Sequence, residues 1–180
     1  MNSPEDLAAA AGTRVEWEQR VAQLWDRFPD YEKEEREDEF VAAVDALAAE
    51  LPPEHAAGLF ERACAQDSTG RSDRAVPLYA RALELGLHGL RRRRTVIQMS
   101  SSLRNIGQAE RAVQLLTEER AAGSDDLDDA VVCTLALALA DTGREREALS
   151  LALTALSGHL VRYQRSMGNY AQQLVEPVAE

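Results

Sequence analysis

Aromatic residues are scarce in this chain of 180, which has three phenylalanines, four tyrosines and two tryptophans. That shortage disfavours a sheet sandwich held by large cross-strand pairs, and no strand-like alternation appears anywhere. Cysteine is rarer still: Cys64 and Cys133 stand alone, with no CxxC pair between them, which excludes a disulfide framework or a zinc knuckle. Lysine occurs once, as Lys33, and every other basic side chain is arginine. No apolar run approaches the ~20 residues that span a bilayer. The N-terminus has no basic start followed by an apolar stretch, so a cytoplasmic location is expected. Against 31 acids there are 20 bases, a formal net charge of −11. Such a surface repels nucleic acid and anionic membranes, and neither is expected as a partner. Alanine, leucine, glutamate and arginine dominate instead, all good helix formers, and the expected class is all-α.

A glycine followed five residues later by an alanine recurs three times, as Gly70–Ala75, Gly107–Ala112 and Gly143–Ala148, with copies 37 and then 36 residues apart. Repetition at that period marks a solenoid of helical hairpins. The glycine ends one helix, a short polar turn follows, and the alanine sits near the start of the next helix. Seven residues before each glycine is another small residue, Ala63, Ser100 or Ala136. Small facing small permits close helix crossing. Leu59, Val96, Leu103, Val132, Leu135 and Leu139 fill the first helices of the pairs. Tyr79, Ala82, Leu116, Ala152 and Ala155 fill the second, at steps of three and four. One hairpin cannot bury such a face, so the copies must stack.

At these residues the chain resembles the tetratricopeptide repeat family, over roughly residues 56 to 160. Ala63, Gly70, Ala75, Tyr79 and Ala82 carry the resemblance in the first copy. Ser100, Gly107 and Ala112 carry it in the second, and Ala136, Gly143, Ala148 and Ala155 in the third. The second copy departs at Leu116 and Glu119, where an aromatic and an alanine are usual, and Ala152 replaces the aromatic in the third. Segments 75–79 and 97–105 look like a group of small stand-alone bacterial repeat proteins. The resemblance implies a right-handed α-solenoid of about three hairpins, with the first helix of each pair lining a concave groove.

The flanks read as caps. Ser3-Pro4-Glu5-Asp6 is a helix start, Gly12-Thr13 a point of interruption, and Trp17, Val21, Leu24, Trp25 and Phe28 an apolar stripe ended by Pro29. Residues 30–39 form an acidic connector or the solvated start of the next helix. Phe40, Val41, Val44, Leu47, Ala48 and Leu51 make a second stripe closed by Pro52-Pro53. This pair reads either as a degenerate repeat or cap, or as an independent unit. Leu160, Tyr163, Met167, Tyr170 and Leu174 mark a last helix that caps the third repeat, folds into the groove or recruits another chain. The resulting division is an N-terminal helical pair (1–51), repeats over 52–158 (about 56–89, 93–126 and 129–158), and a C-terminal capping helix with a frayed tail (159–180), in one continuous domain. With Ser72 as cap, Pro77 falls at the fifth position of its helix and should kink it locally.

Chemistry has few footholds. His55, His88 and His159 are widely separated, none paired with another ligand at i, i+4, and there is no phosphate loop or dinucleotide fingerprint. No catalytic residue, metal or cofactor is expected, nor is a disulfide between Cys64 and Cys133, which lie a whole repeat apart. Arg91-Arg92-Arg93-Arg94 is the strongest local signal. Arg91 to Arg93 surround the helix and read as solvated. Arg94, Gln98, Ser101 and Asn105 share one polar stripe flanked by Ile97 and Arg104, opposite Val96, Met99, Ser100, Leu103 and Ile106. The stripe reads either as a solvated face or as a ligand contact. Family geometry implies that it faces the groove, joined by Phe60 and Asp67 in the first repeat. Arginine there can hold a carboxylate and the amides a peptide backbone. No lysine lies in any repeat, so the lysine–asparagine clamp of chaperone-binding relatives is missing. The expected function is non-catalytic binding of a protein or peptide, such as an acidic segment or chain terminus. The alternatives are a structural subunit that forms a homodimer through its end helices and, more remotely, an enzyme or small-molecule binder.

Overall fold

In the computed structural model, residues 4–176 are described, with side chains from Thr13 onward. The helices are α1 (Pro4–Asp26), α2 (Phe28–Lys33), α3 (Glu37–Ala48), α4 (Ala56–Ser68), α5 (Ser72–Glu84), α6 (Gly89–Asn105), α7 (Ala109–Ala122), α8 (Asp128–Asp141), α9 (Glu145–His159) and α10 (Gln164–Gln173). The fold is all-α, with helices packed in chain order as TPR-like repeats.

The repeated glycines act as read from the sequence. Gly70, Gly107 and Gly143 have φ of +75°, +77° and +78°, a left-handed conformation that glycine adopts without steric cost. After each one the chain closes the helix with the same long bond. Arg71 N donates to Gln66 O at 2.8 Å, Gln108 N to Leu103 O at 2.8 Å and Arg144 N to Leu139 O at 2.9 Å. This six-to-one closure aims the following helix back along its predecessor. Ala63, Ala75, Ala82, Ala112, Ser100, Tyr79, Leu103, Leu116 and Val131 are fully buried in the seam. The leading helices also stack on one another, α4 on α6 and α6 on α8.

Several local expectations are corrected. α1 runs unbroken through Gly12-Thr13, because alanine-rich sequence on the N-terminal side sustains the helix across one glycine. Pro29 does not end that stripe: α1 stops at Asp26, and Pro29 sits in the first turn of α2, where its missing N–H costs nothing. The acidic stretch 30–39 is mostly helical, as the end of α2 and the first turn of α3, where Glu37, Asp38 and Glu39 meet the positive end of the helix dipole. Arg71, not Ser72, is the N-cap of α5, which moves Pro77 to the sixth position. α6 begins at Gly89, a turn earlier than a repeat starting at 93 implies. Leu160–Tyr163 is not helical, and Tyr163 turns the chain at φ +70° before α10. The expected Ser3 cap and the fraying tail from 177 lie outside the described residues.

The few aromatics concentrate at the N-terminal end. Trp25, Phe28 and Tyr31 surround the fully buried Phe40, with ring centroids 4.9, 4.7 and 5.6 Å away. Trp25 also packs against the main core of the repeats, and α3 packs on α4.

Candidate peptide-binding face

The extra first turn of α6 places four arginines where α1, α4, α7 and the α7–α8 loop converge. Arg91 grips both carboxylate oxygens of Glu18 on α1 and reaches Glu61 Oε1 on α4 at 3.2 Å. Trp25 Nε1 donates to the other Glu61 oxygen at 2.9 Å. Arg91 holds the Glu18 carboxyl below its usual range, whereas burial pushes that of Glu61 up against the pull of Trp25 and Arg91. Arg92 donates to both oxygens of Glu119 at 2.8 and 2.6 Å. Arg93 is itself buried, beside Asp125 at 2.9 Å, Gly123 O at 3.3 Å and Asp128. Arg91 to Arg93 are therefore not a solvated run. Each joins α6 to acids on other elements, across separations of up to 73 residues that no local pattern encodes.

Arg94 differs. It is exposed, and among the described residues no carboxylate lies within ion-pair distance of it; its guanidinium instead sits 5.2 Å from the centroid of the Phe60 ring. Phe60 is completely buried, roofed by Arg94 and by Arg91 at 5.8 Å. It therefore cannot touch a ligand, contrary to its expected place in the groove, and acts as the platform on which Arg94 rests.

The remaining stripe residues are partly engaged with neighbouring helices. Gln98 Oε1 faces the buried Cys64 thiol at 3.6 Å, and burial pushes that thiol up to about 12. Asp67 accepts from Ser102 Oγ at 2.6 Å and from the Tyr79 hydroxyl at 3.3 Å, with burial raising its carboxyl above the usual range. Asn105 is exposed and donates to Ser72 Oγ at 3.1 Å. Arg104 Nε donates to Asp141 on α8 at 2.6 Å. Ile97 packs half-buried against the core, and Ser101 is half-buried. On α8 the same face shows exposed Cys133 and Leu137. Both cysteines are free thiols. Ser102, Tyr79, Glu18 and Glu119 were not singled out as site residues. Glu119 alone carried a signal, as a charge where the other copies have Ala82 and Ala155.

A profile described as Tetratrico peptide repeat matches residues 56–174, well over half of the sequence. The chain belongs to that family. Tetratricopeptide repeat domains are generally protein-interaction modules and typically non-catalytic. Two crystal structures share the fold, each with a TM-score of 0.65 at 20% identity, covering 87% of this chain and 83% of the other. Both are described as a putative kinesin light chain from Podosopora anserina with nearly identical TPR-like repeats, the second being a variant of the first. A comparison with curated proteins gave no match. Among the described residues of this repeat domain, no group of His, Cys, Asp and Glu side chains is arranged to hold a metal ion. No described helix is long and apolar enough to cross a membrane.

Proposed function

We propose that this tetratricopeptide repeat domain binds a partner polypeptide along the face of its leading helices, with Arg94 as the anchoring cation for a carboxylate. The carrying observation is the contrast within one arginine run: Arg91, Arg92 and Arg93 are each held by acids, while Arg94 is exposed, has no carboxylate partner among the described residues and is propped on a buried ring. A cation held in place beforehand loses little freedom when it captures an anion. Gln98, Ser101 and Asn105 continue from Arg94 at steps of four, three and four residues along α6, a row of amide and hydroxyl groups suited to a peptide backbone. Leu137 on α8 supplies an apolar contact beside it. The favoured ligand is an extended segment with one acidic and one aliphatic side chain.

A random-peptide display selection against the protein tests this. Recovered peptides should share an acidic residue, and Arg94→Glu should weaken their binding at least tenfold while lowering the melting temperature by only a few degrees, the cost of uncovering Phe60. Peptides without acids, or full binding by Arg94→Glu, would refute the reading. Arg104 is unsuitable for this test because it bridges α6 to α8.

A further inference from the structure

The junction between the second and third repeats is incompletely filled. At the junction before it, Val76 is buried, and Ala80 and Leu83 on α5 pack against the core. The residues one repeat on are Val113, Thr117 and Arg120 of α7. Val113 is only half-buried, and Thr117 and Arg120 are exposed, keeping their polar ends in solvent instead of closing the seam. α10 supplies the remaining wall. It does not take the place of a further leading helix, since it makes no backbone contact with α8 although α4 meets α6 and α6 meets α8. Instead it lies along α9, where Arg146 Nε donates to Leu174 O at 3.0 Å and Gly168 abuts Ser157. The result is a cleft of about 520 Å³ between α7, α9 and the end of α10, a size that suits a small ligand. Leu135, Leu139, Leu151 and Leu174 give it an aliphatic surface. None of its lining residues belongs to α6, so it is separate from the face proposed for a peptide.

Ser150 is the observation that points to an occupant. It is 7% exposed and lines the cleft, yet its hydroxyl has no hydrogen-bond partner among the described residues. A helical hydroxyl ordinarily returns to the carbonyl four residues back. Thr95, Thr117 and Thr134 do so here, at 2.7, 2.7 and 2.8 Å. Ser100 also lacks a partner, but it is sealed in the seam at 0% exposure, whereas Ser150 borders open space. A buried hydroxyl left unbonded is unfavourable, and a ligand oxygen would relieve it. The charge of the cleft gives the sign of that ligand. Arg120, Arg144 and Arg146 line it against one acid, Glu147, in a chain of net charge −11. Arg144 is occupied by Glu147, to which it donates at 2.8 and 2.5 Å. Arg146 bonds a neutral carbonyl through Nε alone, and Arg120 has no partner among the described residues. Both charges are therefore uncompensated. Ser150 follows Arg146 by one helical turn, so the two side chains are neighbours on one face of α9.

We propose that this cleft binds a small amphipathic carboxylate. The carboxylate accepts from Ser150 Oγ and from the terminal nitrogens of Arg146, Arg120 opposes it from α7, and an aliphatic body lies on Leu135, Leu139 and Leu151. Shape and charge both select this class. No aromatic ring lines the cleft, so nothing there stacks a base or an aromatic ligand. An anion bonded by arginine and a hydroxyl at one end, with a greasy wall beyond, matches a ligand charged at one end only.

Isothermal titration of the full chain with octanoate should show saturable binding at one site per chain. Octanamide has the same body without the charge and acetate the charge without the body, and each should bind at least about tenfold more weakly. Arg120→Ala should weaken octanoate about tenfold with little change in melting temperature. Ser150→Ala should weaken it several-fold while raising the melting temperature of the free protein by about a degree or more, because it removes an unbonded buried hydroxyl and installs a better helix former. A serine that served packing alone would lose no binding on that change. Arg94→Glu should leave octanoate affinity as it was, which keeps this test apart from that of the peptide face. No saturable octanoate binding, equal binding of octanamide, or full binding by either the Arg120 or the Ser150 variant overturns the proposal.

Discussion

Glu119→Ala puts back the residue that the other two copies carry at this place, Ala82 and Ala155, yet it should destabilise the protein. Glu119 is 3% exposed and accepts two bonds from Arg92 and a longer contact from Arg93, which is 6% exposed. Stripping one partner from a buried ion pair costs about 3–5 kcal/mol, because the other charge is left without compensation. The effect here is smaller. Arg93 keeps Asp125 and Asp128, and the partly exposed Arg92 returns to water. The expected loss is therefore about 2–3 kcal/mol, or roughly 5–10 °C in melting temperature for a chain of this size. Urea titration followed by circular dichroism measures it, and the loss should persist in 1 M salt because the group is shielded from solvent ions. A variant as stable as the natural sequence, or more so, would show that the arginine run and Glu119 are not a coupled unit.

Two further outcomes follow from buried ionisable groups. Burial raises the Glu61 carboxyl above 4.5, so the folded chain retains a proton that the unfolded chain has released, and stability falls as pH rises through that interval. The unmodified protein should therefore gain on Glu61→Gln as pH is lowered from neutral towards 4.5 in parallel thermal melts; a constant or reversed difference contradicts the assignment. Cys133 is exposed, whereas the Cys64 thiol is buried and pushed up to about 12. A thiol reagent at pH 8 should modify one cysteine in the native protein and the second only on unfolding, and simultaneous reaction of both would refute that burial.

The repeat was legible because its determinants are local. A glycine, a polar turn and an alanine five residues on fix the hairpin within a dozen residues, and the closure bonds at Gly70, Gly107 and Gly143 follow from them. The helix that carries Arg94, Gln98, Ser101 and Asn105 was legible for the same reason, but not the bonds that tie Gln98 to Cys64 and Asn105 to Ser72. What escaped the sequence is set by pairing over long separations. Arg91 with Glu18, Arg92 with Glu119 and Arg93 with Asp128 convert an apparently solvated run into a junction. Phe60 was misplaced because helical spacing gives a side chain's direction but not what lies over it. The displacement of α10 from the next leading position depends on a left-handed residue at Tyr163, a conformation that tyrosine seldom adopts and sequence seldom announces.

Arg91 joins three successive leading helices, α1, α4 and α6, through one guanidinium. A tie of that span holds α1, α4 and α6 to one another as a tension rod holds an arch. Among the described residues past α6, side chains link helices at Arg104 to Asp141, at the Asp128 junction, at His159 to Asp129 and at Arg146 to the Leu174 carbonyl, and none of these joins α8 to α10. On the proposed mode of binding, the three helices outside that tie are the end of the face that no single side chain holds to two leading neighbours at once.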